Sequence, residues 1–201
     1  MQGLFRSITL ASAVILPVAA QAQVSSPTSP EPVFRGIVNA AVTDGGDDLA
    51  KVQFKNASSE KIKAGSLLML GGGVLIQPRG SAFSYQLTAN YHFDSITAKN
   101  GDASFDRFPL EALVFYNNGQ HRFGVGVSHH LSPEVEFDFD DFAKETVEFD
   151  DATGFVVEYN YEISERVWLG LRHTSITYEV SDINGAEVDG DHFGLTAHFA
   201  F

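Results

Sequence analysis

The sequence predicts an all-β protein, an eight-stranded antiparallel up-and-down transmembrane β-barrel. Three observations predict it. Apolar and polar residues alternate with period two in eight separate segments, and no helical periodicity persists beyond a turn or two. The connections between these segments alternate between short and long. The chain opens on an export-type segment and contains no cysteine, so the fold relies on neither disulfides nor a lipidated N-terminal Cys.

The export segment is residues 1–22, MQGLFRSITLASAVILPVAAQA. Arg6 precedes an apolar stretch from Ile8 to Ala20, and Ala20 and Ala22 form a small-x-small cleavage pattern around Gln21. The apolar run falls short of the roughly 20 residues that a membrane-spanning helix needs, so it reads as a signal peptide. Residues 23–32, QVSSPTSPEP, are Pro- and Ser-rich without periodicity and read as a flexible leader. The barrel is then expected over residues 33–201.

The first strand, Phe34–Val42, aligns Phe34, Val38, Ala40 and Val42 on one face. The second, Ser66–Ile76, carries Leu68, Leu70, Val74 and Ile76; its Gly71-Gly72-Gly73 run suits bending or close packing in a barrel wall. The third, Phe83–Phe93, is the clearest. Phe83, Tyr85, Leu87, Ala89, Tyr91 and Phe93 line one face, and Ser84, Gln86, Thr88, Asn90 and His92 the other. At about 3.3 Å per residue such a strand, tilted, crosses a bilayer core. The remaining five are Phe108–Tyr116, Phe123–Leu131, Phe155–Tyr161, Val167–Thr177 and Phe193–Phe201, all with the same pattern. Strands 2–3, 4–5 and 6–7 are joined by QPRGSA, NNGQH and EISER, which are hairpin turns. The other four connections run to about a dozen residues or more. Short turns at one rim and long loops at the other are the layout of outer-membrane barrels.

Alternation alone does not say which face points outward. The polar faces carry large or ionisable groups: Gln86, Asn90, His92, Glu111, Arg122, His130, Glu158, Asn160, Arg172 and His198. These suit a narrow lumen in which they pair with one another. Aromatic residues at the ends of the apolar stripes match interfacial girdles. The C-terminal HFGLTAHFAF, with Phe199 and Phe201, resembles the last-strand assembly signal of outer-membrane proteins. VWLGLRHTSITYEV and PLEALVFYNNGQHRFGVGVSHHLSP resemble segments of small eight-stranded barrels of the OmpA/OmpX/OmpW type. The resemblance implies a bacterial outer-membrane location with loops extracellular, contact with membrane lipid and lipopolysaccharide, and insertion by barrel-assembly machinery through the last strand.

Charge is unevenly placed. The chain has 13 Lys+Arg and 26 Asp+Glu, a formal net charge of −13, which argues against nucleic-acid binding. Residues 132–152 hold nine carboxylates against Lys144, and residues 179–191 hold five with no base. These loops form an acidic crown able to attract divalent cations weakly, but their spacing matches no EF-hand, and no defined metal or cofactor site is expected. The EVEFDFD and TVEFDD runs alternate again, so strands 5 and 6 are expected to continue as a protruding hairpin with Phe137, Phe139 and Phe149 on one side.

Glu158 and Arg172 flank the EISER turn on the same face, within about one diagonal step, and are expected to pair and to connect with Glu111, Arg122 and His130. Such a network either gates a narrow pore or fills the interior, which in an eight-stranded barrel is just wide enough for side chains. His129 and His130 are adjacent in a strand and point to opposite faces, so they do not chelate together. His173-Thr174-Ser175 resembles the His-x-Ser arrangement of outer-membrane lipid A deacylases, with Glu187 as a candidate acid. Ile176 stands where that family commonly has Asn, and the family's Asn-Pro-Gly segment is absent. The expected role is therefore a non-enzymatic outer-membrane barrel serving envelope integrity, surface interaction or limited small-solute passage. The alternatives are a lipid A hydrolase through His173 and Ser175, or a soluble periplasmic lipocalin-like barrel.

Overall fold

A computed structural model describes residues 32–53, 59–98, 101–139, 144–181 and 185–201. Ala20, Ala22 and the whole of the 1–22 segment lie outside the described residues, as does most of the leader. Eight long strands form the wall: β1 (Val33–Gly45), β2 (Leu67–Gln77), β3 (Phe83–Ala98), β4 (Gly101–Asn118), β5 (His121–Phe139), β6 (Ala152–Ser164), β7 (Val167–Ser175) and β8 (His192–Ala200). Each pairs antiparallel with its neighbours in sequence, and β1 pairs with β8, so the sheet closes on itself. Closure satisfies the backbone N–H and C=O groups within the sheet, which is the condition for crossing lipid with strands.

The faces are inverted relative to a soluble barrel. Phe155 is 74% exposed, Phe193 68% and Leu195 65%, whereas Gln86, Glu111, Arg122, Glu158 and Arg172 are buried. A soluble lipocalin-like barrel, with an apolar interior, is excluded by that arrangement. Aromatic contacts ring the outward face near both ends. Tyr91 lies 5.3 Å from Phe93 and 5.1 Å from Phe108, and Phe123 lies 5.2 Å from Tyr159.

The glycines of β2 act in the wall. A Cβ on Gly73 would sit 1.9 Å from the Leu87 carbonyl oxygen, and one on Gly71 would sit 1.9 Å from Asn90 Oδ1. The β2–β3 approach therefore requires hydrogen at these positions, which accounts for the run read as close packing.

Above the membrane the structure departs from the expected loops. The β3–β4 connection, expected as a long loop of about a dozen residues or more, is a continued ladder reaching Ala98↔Gly101. In this part the alternation changes sense. Ala103 and Phe105 point inward while Asp102 and Asp106 face outward. Water rather than lipid surrounds the strands there, so the apolar set moves inside. On β5 the change is made by a bulge. Asp106 pairs Glu134 and Phe108 pairs Leu131, so an extra β5 residue is accommodated, and Ser132 takes a φ of 47°. A bulge re-aims the residues beyond it, which turns Val135 inward. Glu145–Glu148 folds back on β5, pairing Val135↔Val147, so the protruding hairpin is present. The seventh strand is shorter than expected: β7 ends at Ser175, and Thr177–Glu179 pairs with Glu187–Asp189 in a separate hairpin.

Candidate functional site

The interior is stacked in tiers, and the residues singled out by sequence occupy the middle ones. Arg172 and Glu158 are direct cross-strand partners of β7 and β6, closer in register than a diagonal step. Yet the main partner of Arg172 is Glu111 on β4, on the opposite side of the lumen. Arg172 Nη2 donates to Glu111 Oε1 at 2.5 Å and Nη1 to Oε2 at 3.3 Å, a forked pairing between side chains each 2% exposed. Glu158 Oε2 lies 3.8 Å from Arg172 Nη1. Glu158 Oε1 accepts from Asn160 at 2.7 Å and lies 2.8 Å from His198 Nε2. Asn160 Oδ1 in turn accepts from Thr196 at 3.2 Å.

His130 joins this tier through a serine. Tyr178 Oη lies 2.7 Å from His130 Nδ1, His130 Nε2 lies 3.0 Å from Ser128 Oγ, and Ser128 donates to Glu111 at 3.1 Å. The chain of contacts is directional if Tyr178 donates to Nδ1, because Nε2 then carries the proton that Ser128 accepts. Arg122 does not join. It forms a separate tier nearer the short turns, donating to Gln86 at 2.9 Å, with its guanidinium 3.7 Å from the Phe115 ring centroid and 4.9 Å from that of Trp168. Among the described residues no hydrogen bond or close ion pair joins Arg122 to the lumen carboxylates; ring faces from β4 and β7 lie against its guanidinium instead.

The outer tier contains residues that sequence reasoning missed. Arg107 is fully buried, donates to His92 Nε2 at 3.1 Å and lies 4.4 Å from the Phe105 ring centroid. Its position was legible in principle, since it shares the odd phase of Pro109 and Glu111; ending the strand at Phe108 hid it. Above it, Phe105, Val135, Phe149, Ile176 and Tyr178 form an apolar cap with Ala64, Ala103 and Ala152. Phe105 meets Tyr178 edge-on at 5.7 Å and Phe149 at 5.8 Å. Burial pushes the Tyr178 hydroxyl up to about 12, against the opposing effect of Arg107. At the other end, where the short turns lie, the lumen opens into a cavity of about 550 Å³.

The remaining candidates are surface features. His173 and Ser175 share one face but have separate partners. His173 Nδ1 lies 3.1 Å from the His192 carbonyl and its ring stacks on Phe193 at 4.3 Å, while Ser175 donates to Asp191 at 3.1 Å. Glu187 pairs in register with Glu179, in the hairpin above. His129 Nδ1 lies 2.8 Å from Thr153 Oγ1 on the outward side, away from His130. Among the described residues no cluster of His, Asp or Glu has metal-holding geometry. Phe199 and Phe201 are exposed, with ring centroids 6.3 Å apart, beside the β1–β8 seam where Gly36 exchanges backbone hydrogen bonds with Phe201.

The model of the outer membrane protein beta-barrel domain matches residues 8–201. The chain belongs to the outer membrane protein β-barrel family. Its place is the bacterial outer membrane, and the short-turn rim with the open cavity is accordingly the periplasmic one. No curated relative matches the chain by sequence. Among solved structures it is similar to Ail, the attachment invasion locus protein of Yersinia pestis, in complex with the heparin analogue sucrose octasulfate, at 9% identity and a TM-score of 0.47 over 85% of this chain and 99% of that one. It is also similar to Neisserial surface protein A at 11% identity and a TM-score of 0.43, over 85% and 99%. A third is AlkL in lipid bilayers, at 14% identity and a TM-score of 0.42, over 92% and 97%.

Proposed function

We propose that this barrel is a non-conducting, non-enzymatic surface protein, whose working part is the acidic hairpin crown that its rigid wall carries beyond the membrane. The observation that carries the reading is the filled lumen. The forked Glu111–Arg172 pair spans the interior, the Arg122–Phe115–Trp168 stack lies below it, and the Phe105–Phe149–Tyr178 cap lies above. A solute crossing this path would have to break a buried ion pair and unpack an apolar cluster. On this reading the segment ending at Ala22 directs export, and Phe199 and Phe201 present the last strand to the assembly machinery.

The test is planar-bilayer recording of the purified, heat-shift-verified protein. The expected result is no unitary conductance above the bare bilayer across a wide voltage range. Discrete steps in the parent would overturn the reading, and steps that grow in Glu111→Leu, Arg172→Met would make the network a gate.

A further inference from the structure

The periplasmic cavity has a chemistry that the filled lumen does not explain. Three arginines line it: Arg35 on β1, Arg122 on β5 and Arg166 at the β6–β7 turn. Glu162 and Glu165 line it too, yet among the described residues none of the three arginines is ion-paired. Arg35 meets only neutral oxygens, the Glu165 carbonyl at 3.4 Å and Gln77 Oε1 at 3.3 Å. Arg122, 2% exposed, forms the inner end; its Nε and Nη1 have no hydrogen-bond partner. A buried guanidinium with unused N–H groups is costly unless something accepts them. Trp168 and Arg122 both line the cavity, with the guanidinium 4.9 Å from the indole ring centroid. Its volume of about 550 Å³ falls within the range of small-molecule sites.

We propose that this vestibule binds a small phosphate-bearing anion from the periplasmic side. Guanidinium forks match phosphate oxygens, and three arginines on separate elements around one cavity suit a group with three strong acceptor oxygens better than a single carboxylate. Arg35 and Arg166 receive the anion at the mouth, and Arg122 meets it at the inner end. The phosphate belongs either to a soluble compound or to an inner-leaflet lipid headgroup.

Trp168, the only tryptophan of the chain, lines the cavity and reports on occupancy. The protein in phosphatidylcholine nanodiscs is titrated with sodium pyrophosphate, against sodium chloride at matched ionic strength. The expected result is a saturable change in Trp168 emission with a dissociation constant on the order of 1 mM or tighter, weakened at least about tenfold in Arg166→Gln and further in Arg35→Gln, Arg166→Gln. Arg166 is exposed on a turn, so the single variant keeps the fold, which a heat-shift gel verifies. Repeating the titration in phosphatidylglycerol nanodiscs separates the two sources. A pyrophosphate-free Trp168 emission in phosphatidylglycerol already at the saturated value in the parent, but not in the double variant, identifies the headgroup as the occupant, and an emission equal to that in phosphatidylcholine identifies a soluble phosphate. A response in phosphatidylcholine no greater than that to chloride, or equal in the double variant, overturns the site. Bilayer conductance is a separate readout, so failure here leaves the non-conducting reading standing and the converse holds as well.

Discussion

Replacing Glu111 by Gln tests whether the lumen network holds the barrel together. Glu111 and Arg172 are each 2% exposed at the side chain, and their two hydrogen bonds measure 2.5 and 3.3 Å. Removing one member of a buried ion pair costs roughly 3–5 kcal/mol, because the other charge is left without compensation. Here Glu158 remains 3.8 Å from Arg172 Nη1, so part of the compensation survives, and the lower end of that range, about 3 kcal/mol, is expected. That is a shift of roughly a hundredfold in the unfolding equilibrium, at about 1.4 kcal/mol per decade. The assay is equilibrium urea unfolding of the protein in lipid vesicles, followed by Trp168 emission. The triple variant Glu111→Leu, Glu158→Gln, Arg172→Met removes every charge of this buried cluster and is expected within about 1 kcal/mol of the parent, since replacing a whole buried ionic group is often neutral. A Glu111→Gln loss under about 1 kcal/mol, or a triple variant no more stable than Glu111→Gln, would refute the assignment of this pair as the central support.

Two further outcomes check the wall and the cap. Gly73→Val is expected to abolish the heat-shifted folded band, because its Cβ would sit 1.9 Å from the Leu87 carbonyl oxygen, whereas Gly80→Ala, with a φ of 75° and nothing within 4 Å, costs only about 1 kcal/mol of backbone strain. The Cζ resonance of ¹³C-labelled Tyr178 is expected to stay phenolic at about pH 11, since the folded hydroxyl titrates near about 12 and the unfolded one near about 10. The raised value means that Tyr178 stabilises the cap fully below the unfolded value, and this contribution is lost as pH rises through the folded one. Ionisation of Tyr178 at its unfolded value would show that water reaches the cap.

The wall was legible because lipid imposes one rule along a whole strand. Phe83 to Phe93 alternate without exception, and their outward-facing partners on β2 and β4 are apolar except Gly72 opposite Ala89 and Asp106 opposite Phe93. The Glu158–Arg172 adjacency was legible for a similar reason, since counting residues back from a tight turn gives the register of a hairpin. Glu111 as the dominant partner of Arg172 was not legible. It sits 61 residues away on the opposite side of the barrel, and which side chains meet across a lumen depends on strand tilt and stagger, which no local pattern encodes.

The cap was hidden by a subtler cause. Phe105 and Val135 look like interruptions of the membrane pattern because each is an apolar residue on the polar phase of its strand or beyond a shift of phase. They are the same hydrophobic rule applied in a different solvent. Where lipid surrounds the strand, apolar residues gain nothing by turning inward and the lumen can be polar; where water surrounds it, they must turn inward and carboxylates such as Asp106 and Glu134 face out. The change of phase near Phe108 and Ser132 therefore marks the outer membrane boundary on β4 and β5, and the acidic crown begins there for the same reason that the apolar cap does. The mean hydropathy of −0.04 is accordingly uninformative about solubility. It averages a wall that is apolar outside over a projection that is apolar inside, and the position of the switch between them shows where the membrane ends.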